Sequence, residues 1–274
     1  MSASSLATKH SVLQERFPHP SPLPLRWERG LGIAILLALL GLWQLGVQLS
    51  GIPPLVLPGP IRVAQDLVRA TASGILWPHA GVTLVEVFGG FAVGSALGFG
   101  LGAAAASSRR TERLISPYVV ASQALPKLAL APLLVVWLGF GLTSKIVVAA
   151  LVSFFPLFEN TVLGLRSAEP AQSELFRSLR ATKSQTFRKL LLPASLPYVA
   201  TGLRVALILS LVGAVVAEFV GSNRGLGALL VSAQGVLNTP LMFAVIVVLT
   251  LIGIVLYWLA SGLERIVLRW RFGE

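Results

Sequence analysis

The chain has 274 residues, of which 55% are hydrophobic and only 12% charged, with a net charge of +11 and no cysteine. Soluble domains carry roughly 25% charged residues, so a mean hydropathy of +0.80 excludes a water-soluble fold and points to a polytopic membrane protein. The cations cluster in loops beside apolar spans instead of forming one basic face, which argues against a nucleic-acid partner. Without cysteine there is neither a disulfide framework nor a thiolate metal site, and His10, His19 and His79 make no ligand spacing.

Residues 1–29 are rich in Ser and Pro and read as a disordered cytoplasmic tail. A spanning helix needs about 20 mostly apolar residues. The first such run, Leu31 to Leu49, is long for a signal-peptide core and reads as an uncleaved span. After it, Pro60 starts and Ser73-Gly74 ends a short helix, with Val63, Leu67 and Val68 on one face and Arg62, Asp66 and Arg69 elsewhere. It is expected to lie along the membrane interface. The span Val82 to Ala106 carries Gly90, Gly94 and Gly98 four apart, a ridge that lets another helix backbone approach, within the chain in preference to across a dimer.

Four further spans follow. Ile115 to Leu138 is interrupted by Pro126 and Pro132; Ser144 to Leu165, Leu196 to Val220 and Leu241 to Leu263 complete six. A Gly-rich stretch before the last, "GSNRGLGALLVSAQGVLNTP", holds a short apolar helix of re-entrant character. Trp43, Trp77, Trp137, Tyr257 and Trp258 fit interfacial belts.

Loop cations set the orientation. With the N-terminus inside, the inner segments hold Lys9, Arg16, Arg26, Arg29, Arg109, Arg110 and Arg113. They also hold Arg166, Arg177, Arg180, Lys183, Arg188, Lys189, Arg265, Arg269 and Arg271. The outer side holds Arg62, Arg69, Lys145 and Arg224. That asymmetry places both termini in the cytoplasm.

The segment 167–195 is too elaborate for a connector. Glu169-Pro170 suits a helix start, and Leu175, Phe176 and Leu179 share a face that Arg177 and Arg180 avoid. Thr182 to Gln185 has capping-box spacing for a second helix with an apolar stripe of Phe187, Leu190 and Leu191. Pro193 and Pro197 are expected to end that helix and launch the fifth span.

This loop resembles the "EAA" cytoplasmic loop of ABC importer permeases, E-A-A, three residues, G, nine residues, I-x-L-P. Glu174-Leu175-Phe176, Arg180, Leu190, Leu192 and Pro193 fall in register, with the two alanines and the glycine replaced. Arg180 in the glycine position leaves open whether the left-handed turn moves to Ala181-Thr182. "ALPKLALAPLLVVWLGFGLTSK", "FFPLFENTVLGLRS", "LPYVATGLRVAL" and "VVAEFVGSNRGLGALL" are similar to the branch importing nitrate, taurine, alkanesulfonates and related small molecules.

The resemblance implies an all-α fold of six transmembrane helices, the type I importer architecture. Its core would span 79–265, after a first span and interfacial helix over 30–78 and before a cytoplasmic tail over 266–274. It implies one half of a homodimeric pore in a bacterial inner membrane, lipid around it and no nucleic acid. Each copy would sit on one of two ATPase subunits through Glu174, Leu175, Phe176, Arg177, Leu179, Arg180, Thr182, Phe187, Leu192 and Pro193. A periplasmic or lipid-anchored binding protein would deliver a small solute, expected to be anionic. The chain has no G-x-x-x-x-G-K-[ST] phosphate loop, so it cannot supply the ATP site itself; the resemblance implies no enzyme activity and no cofactor in this chain, with ATP and magnesium on the partner.

Charges inside spans are costly and should face protein or water. Lys127, between Pro126 and Pro132, can line a pathway and attract an anion, or snorkel, or pair with a glutamate. Glu218 is expected to pair with Arg224 or Lys127, with a pathway contact as the other reading. Arg204 reads as an anchor near the inner face; Glu86 and Glu159 have no assignable partner. The competing function is an ion- or proton-coupled secondary transporter relaying through Glu86, Glu159 or Glu218.

Overall fold

The structure, a computed structural model, describes residues 25–268; residues 1–24 and Arg269 and Arg271 lie outside the described residues, and residues 25–29, expected as the end of a disordered tail, are helical. The chain divides into two compact units, residues 1–52 and 53–274. The first contributes α1 (Leu25–Ser50), an apolar helix long enough to cross a bilayer, with its leucines exposed.

The second unit is all-helical among the described residues. It opens with α2 (Pro60–Ala72), started by Pro60 in the first turn and closed at Ser73, with Gly74 at φ 77°. Val63, Leu67 and Ala70 turn inward and Val68 outward. Each helical residue turns about 100°, so Val68 sits 140° around from Val63 and cannot share its face. Ala70 and Leu67 pack with Leu76, Leu226, Leu229 and Val245, which makes α2 part of the second unit's core. Arg62 and Arg69 pair with Asp66 at 3.7 and 3.1 Å.

The core is a three-helix seam of α3 (Leu76–Ser107), α6 (Leu142–Leu165) and α9 (Leu192–Phe219). The glycine ridge of α3 lies against α6. A methyl group on Gly94 would stand 2.6 Å from the Ala150 carbonyl, and one on Gly98 2.6 Å from that of Phe154. At Gly213 of α9 it would stand 2.8 Å from Ala149 Cα. The ridge therefore serves packing within the chain. Val87, Ala149, Leu207, Leu211, Ala214 and Leu256 fill the centre of the seam.

The third span is a bent pair. α4 (Arg109–Ala124), capped by the Ser108 hydroxyl on the Thr111 N–H, is followed by a 3-10 turn (Lys127–Leu130) and α5 (Ala131–Leu138), with a 79° bend between them. The break is at Leu125-Pro126 alone. Pro132 falls in the first turn of α5, where its missing N–H is not needed, so it interrupts nothing. Counting that pair as one span gives six helices long and apolar enough to cross a membrane among the described residues, and otherwise five.

Beyond α6 come α7 (Pro170–Ser178), α8 (Lys183–Thr186) and a π segment (Phe187–Leu191) that runs straight into α9. Lys183–Phe219 is one continuous helix of 37 residues, so Pro193 and Pro197 do not end the second loop helix. The π segment absorbs Pro193: the chain winds one residue wide, Leu192 N–H donates to the Phe187 carbonyl, and the absent proline N–H costs no break. The chain then forms α10 (Leu226–Gly235) and α11 (Thr239–Val267), the latter capped by Asn238 on the Leu241 N–H at 3.2 Å.

Candidate functional site

Three groups of side chains stand apart from ordinary helix packing. The first is the 167–195 segment. It is tied to the bundle by Ser167, whose hydroxyl donates to the Gly164 carbonyl at 2.7 Å, and by Arg166, which pairs with Glu112 at 2.5 Å. That hydrogen bond holds the Arg166 guanidinium above its ordinary pKa. α7 ends in a Schellman closure, with Ala181 N–H donating to the Phe176 carbonyl at 3.0 Å and Arg180 N–H to that of Arg177 at 3.0 Å. Arg180 itself adopts φ 52°, so the left-handed residue stays in the glycine position and does not move to Ala181-Thr182. Two residues later the capping box forms: Thr182 N–H donates to Gln185 Oε1 at 2.8 Å and Gln185 N–H to Thr182 Oγ1 at 3.2 Å.

The apolar residues of this segment divide. Phe176 and Phe187 are half-buried and Leu190 is buried, so these three turn away from solvent. Leu175 and Leu179, four apart on α7, are 56% and 70% exposed. The expected common face of Leu175, Phe176 and Leu179 is thus split, with Phe176 turned in. Glu174, Arg177, Arg180 and Thr182 are exposed beside them, while Leu192 and Pro193 lie half-buried at the root of α9.

The second group surrounds the bend in the third span. Pro126, Lys127 and Gln123 line a cavity of about 400 Å³ with Phe155, Pro156 and Leu209. The Lys127 ammonium stands 5.4 Å from the Phe155 ring centroid, an attraction that offsets part of its desolvation. Because Pro126 has no N–H, the Ser122 carbonyl lacks its helical donor, and irregular backbone of this kind is tolerated at membrane depth only beside a cavity or within protein.

The third group is buried. Glu86 and Glu218 are 0% and 1% exposed. Glu218 accepts from the Thr83 hydroxyl at 2.6 Å and from the Gly227 N–H at 2.5 Å. Thr83 in turn accepts the Leu226 N–H at 2.8 Å, and His79 Nδ1 lies 2.8 Å from the Gly225 carbonyl oxygen and 3.2 Å from its nitrogen. These bonds satisfy the first amides of α10 from outside the helix and place a carboxylate at its positive end. Glu218 therefore pairs with neither Arg224 nor Lys127. Lys145, counted above among the outer cations, is buried in α6 with its ammonium 3.4 Å from Glu86 Oε1. It gives that carboxyl group an ion-pair partner where neither of its oxygens has a hydrogen bond among the described residues.

Sequence reasoning missed this cluster, although His79, Thr83 and Glu86 fall at i, i+4 and i+7 on α3, a readable polar stripe. Of the residues expected along a pathway, the structure brings Pro126 and Lys127 together at one cavity. Pro132 does not line it, and Glu218 sits in the separate buried cluster. Arg204 pairs with Glu264 of α11 at 3.0 Å, and Glu159 is exposed.

Comparison with known proteins identifies the family. Residues 94–269 match the family described as binding-protein-dependent transport system inner membrane component. The chain is 43% identical over 241 residues to the riboflavin transport system permease protein RibX of Chloroflexus aurantiacus, covering 88% of this chain and 90% of that one. It is 37% identical to the formylaminopyrimidine transport permease protein ThiX of Halalkalibacterium halodurans, over 86% of this chain and 93% of the relative. It is 30% identical to the taurine transport system permease protein TauC of Escherichia coli, over 95% and 98%. Among solved structures, an inward-facing form of the MetNI methionine ABC transporter superposes with a TM-score of 0.60 at 22% identity, over 68% of this chain and 93% of that one. Neither the relatives nor the fold supports the ion-coupled alternative. The chain belongs to the inner membrane components of binding-protein-dependent transport systems, the permease subunits of ABC importers.

Proposed function

We propose that two copies of this chain form the pore of an ATP-driven importer, each seated on an ATPase subunit through residues 167–195. The single observation carrying this reading is the pair Leu175 and Leu179, held out on a closed helical hook whose other apolar residues turn inward. An exposed i, i+4 apolar pair ringed by Glu174, Arg177 and Arg180 suits insertion into a groove on a partner. The loop cations and both termini face the cytoplasm in this reading, and a binding protein delivers substrate to the opposite mouth. ATP and magnesium belong to the ATPase.

The substrate pathway runs past the Lys127 cavity. Lys127 is the single charged group among that cavity's lining residues, which favours a small anionic or acceptor-rich solute. RibX and ThiX relatives widen the candidates from sulfonates to nitrogen heterocycles that present acceptor edges.

The test is co-purification and uptake. Glu174→Lys and Phe176→Trp in the full transporter should weaken ATPase association and uptake together. Unchanged transport in both variants overturns the coupling assignment. Lys127→Gln should lower uptake and alter substrate preference while leaving ATPase association intact.

A further inference from the structure

At the end of the bundle that carries the 167–195 segment, α9 and α11 are joined by one polar tie. Arg204 pairs with Glu264, its guanidinium lies 5.6 Å over the Tyr257 ring, and the Thr201 hydroxyl donates to Glu264 at 3.4 Å. Two cavities open against this tie and share it. One, of about 460 Å³, is apolar, with Phe88, Phe91, Leu203, Leu207, Leu256 and Leu263 among its walls. The other, of about 450 Å³, is lined by Arg204, Tyr257, Trp258 and Arg265. An apolar trough thus meets a cationic, aromatic-edged cleft at Arg204.

We propose that this juxtaposition binds an anionic phospholipid, one acyl chain in the trough and the phosphate between Arg204 and Arg265. Charge complementarity selects this occupant. Arg265 is exposed, Arg269 and Arg271 follow it in sequence, and Glu264 is the one carboxylate lining either cavity. Each cation near an anionic headgroup adds a favourable electrostatic contribution, and Tyr257 and Trp258 are side chains that settle at headgroup depth. A seated phosphate competes with Glu264 for Arg204 and so loosens α9 from α11, on the same helix that continues into the coupling loop.

The experiment uses the full chain with Trp258 as its sole tryptophan, the other five changed to Phe. It is reconstituted in phosphatidylcholine vesicles containing an equal fraction of brominated phosphatidylglycerol or brominated phosphatidylcholine. The phosphatidylglycerol should occupy the site about fivefold more readily per arginine engaged, seen as stronger quenching of Trp258. Arg204→Gln with Arg265→Gln should make the two lipids equal. The exposed Arg265→Gln alone, which spares the α9–α11 tie, should narrow the gap if the double variant fails to fold. Equal quenching by both lipids in the unsubstituted chain means ordinary bilayer contact and overturns the proposal. Absence of quenching by either means that a second copy or another helix seals the trough, and overturns it too.

Discussion

The α3–α6–α9 seam and the 167–195 segment are built on opposite terms. In the seam, glycines bring backbones into contact and the buried charges meet fixed partners, Glu86 beside Lys145 and Glu218 on Thr83 and Gly227. In the loop, one short helix is closed by a Schellman turn, the next is capped only at its start, and Leu175 and Leu179 are left outward. The seam spends its side chains on itself, and the loop withholds two from its own core. Stability should therefore be lost in the first and partner recognition in the second.

The most damaging substitution should be Glu86→Ala, which strands the Lys145 ammonium inside the bundle at a cost of about 3–5 kcal/mol. Thermal unfolding in detergent measures it, and Glu86→Ala with Lys145→Ala should recover much of the loss. An unchanged midpoint for the single variant would remove the cluster from the account of stability. Gly94→Leu should cost about 1–3 kcal/mol by forcing α3 from α6, read by the same unfolding. In the loop, Leu179→Asp should leave the midpoint within about 0.5 kcal/mol of the parent. It should nevertheless weaken ATPase association about tenfold, or about 1.4 kcal/mol, in a pull-down titration. A drop in stability without a drop in association would reverse the comparison. The smallest effect is expected of Arg180→Gly, which relieves a left-handed arginine and should stabilise the turn by about 1 kcal/mol. Slower hydrogen exchange at the Arg180 and Ala181 amides would show it.

Much of the fold was legible where a rule is local. Pro60 and Ser73-Gly74 bound α2, the Thr182–Gln185 box forms, and the Gly90–Gly94–Gly98 ridge packs on α6. What escaped depends on distant partners. Lys145 counts as an outer cation until Glu86, 59 positions away, is seen beside it. Glu218 meets Thr83 across 135 positions, a separation no periodicity reports. The proline rule failed at Pro193 for another reason: a missing donor breaks a helix only if the winding stays regular, and the π segment changes the winding. Arg180 showed that a turn can keep its place when its usual residue is gone, because the caps on either side fix the backbone.

The unbroken helix from Lys183 to Phe219 has a mechanical reach that its sequence of labelled pieces conceals. At 1.5 Å per residue, 37 residues form a lever roughly 55 Å long. A swing of about 5° at its foot carries its far end about 5 Å, the height of one helical turn. That far end is where Glu218 grips the first amides of α10. The hook and the seat of α10 are thereby two ends of one continuous helix.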